Sequence, residues 1–107
     1  MKHFQYPSDP GVICGEENNP DLFIRTVVFP VGYSEEQFHS HPNTFEFYQV
    51  LSGELVFESK DGDVVKSSQR AFIYFGEGEP HRIIEVTQDC ELVLYKRIGS
   101  QKQTGIS

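Results

Sequence analysis

Two histidines and one glutamate stand close together in a pattern that could bind a metal ion. His39 and His41 are separated by one residue, and Glu46 follows five residues after His41. Alternate residues of a β-strand share a face, so we expect both imidazoles to point the same way on a predicted strand. Pro42 and Asn43 mark a turn that can bring the Glu46 carboxylate back beside the two rings.

A third imidazole, His81, follows a glycine-rich bend further along the chain. Three imidazoles and one carboxylate form a mixed nitrogen–oxygen donor set that suits one divalent transition metal, such as Mn, Fe, Ni, Zn or Cu. Four protein ligands leave two positions of an octahedral ion open, where a substrate oxygen, water or dioxygen can bind. The sequence therefore predicts a metal site formed by His39, His41, Glu46 and His81.

Short β-strands are the elements that must position these residues. Segments of about five residues, rich in β-branched and aromatic types, alternate with turn-forming residues along most of the chain. The predicted strands are Leu22–Phe29, Gln37–His41, Glu46–Leu51, Glu54–Glu58, Asp63–Lys66, Ala71–Phe75, His81–Val86 and Leu92–Arg97. No segment shows the periodicity of an amphipathic helix, so the pattern is typical of an all-β sandwich or barrel.

The chain has 107 residues, which suits a single domain. Residues 1–21 are rich in turn formers and are expected to be an irregular arm with one short strand. Residues 22–97 carry the predicted strands, and residues 98–107 are polar and are expected to be a tail.

The net charge, the cysteines and the lack of long apolar runs limit the class of protein. The formal net charge is −7 and no basic patch occurs, which argues against nucleic acid and anionic membranes. Cys14 and Cys90 are far apart and are expected to be reduced thiols. No apolar run resembles a signal peptide or approaches membrane-spanning length, so we expect a cytoplasmic protein with a small-molecule ligand.

The region from Gly32 to Gly53 resembles the first sequence motif of the cupin superfamily. That motif is a glycine, a spacer, His-x-His, a glutamate and a second glycine, and Gly32, His39, His41, Glu46 and Gly53 match it. The spacer after Gly32 has six residues, where the family usually has five.

The second cupin motif is matched only in part. Gly78 and His81 occupy their motif positions, and a proline such as Pro80 is common before the histidine. The motif's first glycine, its proline and its final asparagine are replaced here by Arg70, Gly76 and Glu85. The histidine that the family uses as a ligand is therefore kept, whereas the surrounding pattern is degenerate.

The resemblance covers roughly Leu22 to Arg97 and carries several expectations. It implies a small single-domain cupin with a double-stranded β-helix, a jelly-roll-like barrel of two packed sheets with the site inside. It names the same four metal ligands, and it implies a homodimer, with residues 1–21 available for exchange between subunits.

The family hosts many activities, so the function stays open between classes. A metal-dependent enzyme acting on a small oxygenated or carboxylated molecule, of dioxygenase or isomerase/lyase type, is the first hypothesis. The alternatives are a non-catalytic module that binds or senses a small ligand, and a structural or metal-storage protein.

Two further residues are candidates for proton transfer. If His81 points inward, strand parity sends Ile83 and Glu85 inward too, where Glu85 could act as a general acid or base. A bulge or the strand's end would instead place Glu85 in water at the rim. By the same parity Tyr48 follows Glu46 inward, either to contact a substrate through its hydroxyl or to serve as a core tyrosine.

Overall fold

The structure is a computed structural model that describes residues 1, 3, 8–16 and 19–98. All regular structure in these residues is β-strand, which confirms the predicted all-β fold. The strands are β1 (Val12–Glu16), β2 (Asn19–Phe29), β3 (Thr44–Ser59), β4 (Val64–Ser68), β5 (Phe72–Phe75) and β6 (His81–Ile98). Among the described residues no helix could span a membrane. The predicted tail lies outside the described residues beyond Ile98.

The two longest strands, β3 and β6, are antiparallel and pair with each other in the centre of the sheet. They pair from Thr44 opposite Ile98 to Ser59 opposite His81. β5 pairs with the first half of β3 and β4 with its second half, while β2 pairs with the second half of β6 and β1 with β2. Each long strand therefore contributes to both walls of the fold, and the space between the walls holds the core.

The predicted strand ends at Leu51 and Val86 do not occur, because no turn forms at Ser52-Gly53 or at Gln88-Asp89. β3 and β6 run through both places, and the register between them shifts around Ser52. Gly53 has φ +83°, and a Cβ atom built on it would overlap the Asp89 carbonyl oxygen. The turn formers thus permit a close approach and a bend within continuous strands.

The predicted strand Gln37–His41 is also wrong, because this segment is a loop with one isolated bridge, between His39 and His81. The loop is still held against the first half of β6 by backbone hydrogen bonds. Gly32 N–H donates to the Val86 carbonyl at 3.2 Å, and Glu35 N–H donates to the Ile83 carbonyl at 2.8 Å. Irregular spacing of these bonds explains why no regular strand forms.

The hydrophobic core lies between the two walls and is rich in aromatic and branched side chains. Its buried members are Tyr48, Val50, Leu55, Phe57, Phe75, Ile83, Val86, Cys90, Leu92 and Leu94. Both cysteines are free thiols, as predicted. Burial raises the pKa of the Cys90 thiol to about 11, so this thiol stays protonated and unreactive near neutral pH.

We expect Gly53→Ala to destabilise the protein by about 3 kcal/mol or more, because the added methyl group meets the backbone of β6 and φ is unfavourable. Gly62 is the matched control, since it has φ +95° but open space around its Cβ position. Gly62→Ala should cost only about 1 kcal/mol, for the backbone conformation alone. Equal losses for the two variants in urea denaturation would contradict the close approach at Gly53.

Candidate metal-binding site

The interior face of β3 supplies the first residues of the candidate site. Buried and half-buried residues alternate from Thr44 to Val50, so Glu46 and Tyr48 face the same interior as Val50. Glu46 is only 2% exposed. A carboxylate at such a position is costly to bury and needs a compensating positive charge or hydrogen bonds.

The predicted turn after His41 is present. Thr44 N–H donates to the His41 carbonyl at 3.2 Å, and Asn43 adopts φ 60°. The chain reverses here, and His41 Nε2 comes within 3.9 Å of Glu46 Oε1.

His39 reaches the same place by pairing with the start of β6. The backbone N–H of each of His39 and His81 donates to the carbonyl of the other at 3.0 Å. Their ring centroids are 4.5 Å apart, and those of His39 and His41 are 6.2 Å apart. The four side chains singled out in the sequence therefore lie together, with His39 and His41 half-exposed and His81 and Glu46 buried.

The most informative atom of the site is Nε2 of His81. Its other ring nitrogen, Nδ1, lies 2.8 Å from the Glu79 carbonyl oxygen, which only accepts hydrogen bonds, so Nδ1 carries the proton. Nε2 is buried, lies 3.3 Å from Glu46 Oε1 and makes no hydrogen bond. Burial lowers the pKa of His81 to about 4. A neutral imidazole thus directs a lone pair towards the carboxylate.

Aromatic rings hold the His81 side chain in this orientation. The Phe75 ring stacks on it with centroids 3.8 Å apart and planes at 6°, and the Tyr48 ring approaches it edge-on at 6.3 Å. These rings exclude water from one side of the site.

Sequence reasoning missed Glu35, which anchors His39. Glu35 accepts hydrogen bonds from Tyr33 Oη at 2.8 Å and from Ile83 N–H at 2.7 Å, and its Oε1 lies 3.2 Å from His39 Nε2. Burial disfavours the charged carboxylate, but the hydrogen bonds from His39, Ile83 and Tyr33 outweigh it and lower the pKa to about 2. Glu35 lies in a loop without periodicity, so its orientation left no signal in the sequence.

Lys96 is the second residue that sequence reasoning missed. It is 4% exposed and lies opposite Glu46 in the β3–β6 register. Its Nζ is 3.3 Å from His41 Nε2. A signal existed, because strand parity places Lys96 on the inward face that it shares with Leu92 and Leu94.

The donor chemistry of the site fits a divalent metal, although the side chains would have to adjust. Among the described residues, no three or more His, Cys, Asp or Glu side chains are grouped so that they could hold an ion as they stand. Glu35 and Lys96 are the present neighbours of the His39 and His41 ring nitrogens. The buried lone pair of His81 beside a carboxylate is nevertheless what a metal ligand requires.

Of the two candidates for proton transfer, Tyr48 lies inside the site. The Tyr48 hydroxyl donates to Glu46 Oε2 at 3.4 Å. Burial and the nearby Glu46 charge raise the pKa of Tyr48 well above its usual value, so it remains a neutral donor.

Of the two alternatives for Glu85, the structure has the bulge, so this side chain does not point inward. Ile83 pairs with Phe57 and Glu85 with Val56, so one extra residue of β6 forms a bulge and reverses the parity beyond it. Glu85 is exposed and Val86 takes the interior position. Glu85 is therefore no longer a candidate for catalysis inside the barrel.

The Glu35 network predicts a measurable dependence of stability on pH. Because the folded pKa lies below the ordinary 4.5, ionised Glu35 stabilises the protein above about pH 4.5, and this contribution is lost as pH falls towards about 2. With a chelator present, Glu35→Gln should lower the free energy of unfolding by about 2 kcal/mol at pH 7, and the difference should shrink across that acid range.

The exposed neighbour Glu36 supplies the control. Glu36→Gln should change the free energy of unfolding by less than about 0.5 kcal/mol. A difference between wild type and Glu35→Gln that is constant from pH 7 to pH 2 would argue against the network.

Comparison with solved structures shows the same fold in proteins of different kinds. A cupin protein from Bacteroides fragilis is similar with a TM-score of 0.67 and 17% identity, over 94% of this chain and 87% of that one. The DMSP lyase DddQ from Ruegeria pomeroyi has a TM-score of 0.71 and 22% identity, over 83% of this chain and 46% of that one. This chain therefore spans less than half of the lyase.

A cupin domain from Schizosaccharomyces pombe has a TM-score of 0.75 and 11% identity, over 98% of this chain and 74% of that domain. At these identities the similarities establish the fold alone. No curated protein matches the sequence. The sequence model of the cupin domain matches residues 25–95, which is most of the chain and includes all of β3 and most of β6. This protein belongs to the cupin family.

Proposed function

We propose that this protein binds one divalent transition metal and acts as a metal-dependent enzyme on a small oxygenated or carboxylated molecule inside the barrel. The observation that carries the proposal is the buried Nε2 of His81, which makes no hydrogen bond and lies 3.3 Å from Glu46 Oε1.

A lone pair and a carboxylate oxygen repel each other at this distance unless a cation lies between or beside them. The proton is a poor candidate near neutral pH, because burial lowers the pKa of His81 to about 4. A divalent metal accepts electron pairs from both groups at once. His39 and His41 would complete the ligand set after modest side-chain rotation, since both rings are half-exposed.

The ion, when bound, would supply Lewis-acid chemistry or, for a redox-active metal, oxygen chemistry. The protein's own residues would orient the ligands. The Glu79 carbonyl fixes the tautomer of His81, and the Tyr48 hydroxyl donates to Glu46. The Phe75 ring restricts water on the buried side.

The fold is compatible with an enzyme and does not determine the reaction. The name of the Ruegeria pomeroyi protein records a lyase built on this fold. A lyase or isomerase would work without oxygen and tolerate zinc or nickel, whereas a dioxygenase would need a redox-active metal and consume oxygen. Both remain within the proposal.

Metal content tests the proposal directly. We expect freshly purified wild type to contain about one equivalent of divalent metal by elemental analysis. His41→Ala and His81→Ala should bind the same metal at least about 100-fold more weakly, because each removes a direct ligand. His3→Ala is the matched control, since His3 is an exposed histidine outside the site, and it should keep the wild-type content.

Absence of metal from wild type, even after reconstitution with manganese, iron, nickel and zinc, would overturn the metal site. The barrel would then be better explained as a non-catalytic module that binds a small ligand.

A further inference from the structure

We infer that Lys96 is the anion-binding residue of this site, and that the molecule bound there carries a carboxylate group. This inference rests on the proposed metal site and adds the chemical class of its ligand. It comes from a buried ammonium that lies opposite Glu46 and 3.3 Å from His41 Nε2, at the edge of the candidate metal site.

Lys96 is placed inside the barrel by its strand. It lies opposite Glu46 on β6, is 4% exposed, and shares its inward face with Leu92 and Leu94. Fully buried lysines are rare, because removing the ammonium from water is costly. A lysine that only served the surface would extend its ammonium to solvent, as long side chains normally do.

The ammonium and the metal would compete for one atom. Lys96 Nζ lies 3.3 Å from His41 Nε2, a nitrogen through which His41 could bind the ion. If a metal bound this nitrogen, the buried ammonium would have to move aside. Two cations then stand next to each other, an arrangement that an anion bound between them would stabilise.

The charges of the site point to the same class of ligand. Glu35 and Glu46 each contribute a negative charge, and the imidazole ligands are neutral. A divalent ion and the Lys96 ammonium carry three positive charges, one more than the two carboxylates neutralise. A monocarboxylate that binds the ion through one oxygen and Lys96 through another would neutralise this excess.

The nearby arginine does not provide an alternative cation. Arg82 donates to Glu58 Oε1 at 2.7 Å, and its guanidinium stacks over the Phe38 ring at 4.6 Å. These contacts hold Arg82 on the outside of the loop that carries the site histidines. Among the described residues, Lys96 is the lysine or arginine with a buried side chain.

A purely structural role for Lys96 makes a different prediction. If the ammonium serves only as a counter-charge for Glu46, its removal would lower stability without changing the preference for charged over neutral ligands. Direct binding separates the two roles, because it measures that preference in folded protein.

The experiment is calorimetric titration of the zinc-loaded protein with L-lactate and with lactamide, which has the same shape but no charge. We expect wild type to bind lactate more tightly than lactamide. Lys96→Met should weaken lactate binding about 10- to 100-fold, as expected for a lost charge-assisted hydrogen bond, and leave lactamide binding nearly unchanged. Lys96→Arg should restore part of the preference.

Lys66→Met is the control for net charge, because Lys66 is an exposed lysine paired with Glu54, and it should behave as wild type. Circular dichroism and zinc content must match wild type in each variant. If Lys96→Met does not fold, Lys96→Gln replaces it.

An unchanged lactate preference in a folded, zinc-loaded Lys96 variant would overturn the inference and leave the metal site intact. If wild type binds none of zinc, manganese, iron and nickel, the proposed function fails, and the same titrations are read on metal-free protein. A lysine-dependent preference for lactate there would still support Lys96 as the anion site, whereas equal weak binding of both probes would overturn it.

Discussion

The buried carboxylate of Glu46 and the neutral imidazole of His81 face each other across 3.3 Å, and the rest of the site is organised around this contact. Both groups are almost completely shielded from water, so neither can be solvated separately. Their juxtaposition is stable only with a positive charge close by. Lys96 lies opposite Glu46 and can supply this charge, and a metal ion bound by the imidazole nitrogens would supply it too. The need for a positive charge explains why polar side chains collect here in an apolar interior.

The fold supplies this arrangement by dividing the site between rigid and irregular parts. Glu46, His81 and Lys96 lie on β3 and β6, which pair along nearly their whole length. His39 and His41 lie on a loop that is tied to β6 by backbone hydrogen bonds and by the Glu35 carboxylate, which accepts from Ile83 N–H. The strand residues are thus fixed by the core, while the half-exposed loop residues leave a route for a metal ion or a small molecule to enter.

The orientation of site residues on strands is easier to predict from the sequence than that of residues on the loop. Alternation places Glu46, Tyr48 and His81 correctly, because a strand has a fixed period of two residues. The same rule fails for Glu85, since one extra residue in a bulge reverses the parity and carries no marker in the sequence.

Turn-forming residues mislead for a related reason. The predicted break between Leu51 and Glu54 contains Gly53, which instead allows β3 to pass close to Asp89 within one longer strand. Local chemistry indicates an unusual backbone at such a glycine without saying whether the chain reverses or continues. No local rule predicts the role of Glu35, because its partners Tyr33, His39 and Ile83 meet only in the folded barrel.

The most direct test of the Glu46–His81 contact is the protonation state of His81, read from the nitrogen NMR shifts of its ring in metal-free protein and again with one equivalent of zinc. We expect a neutral ring protonated on Nδ1 from pH 5 to pH 8, with a large shift of Nε2 on addition of zinc. An imidazolium at pH 6 with no change on adding zinc would contradict it, because a proton would then supply the cation that Glu46 requires.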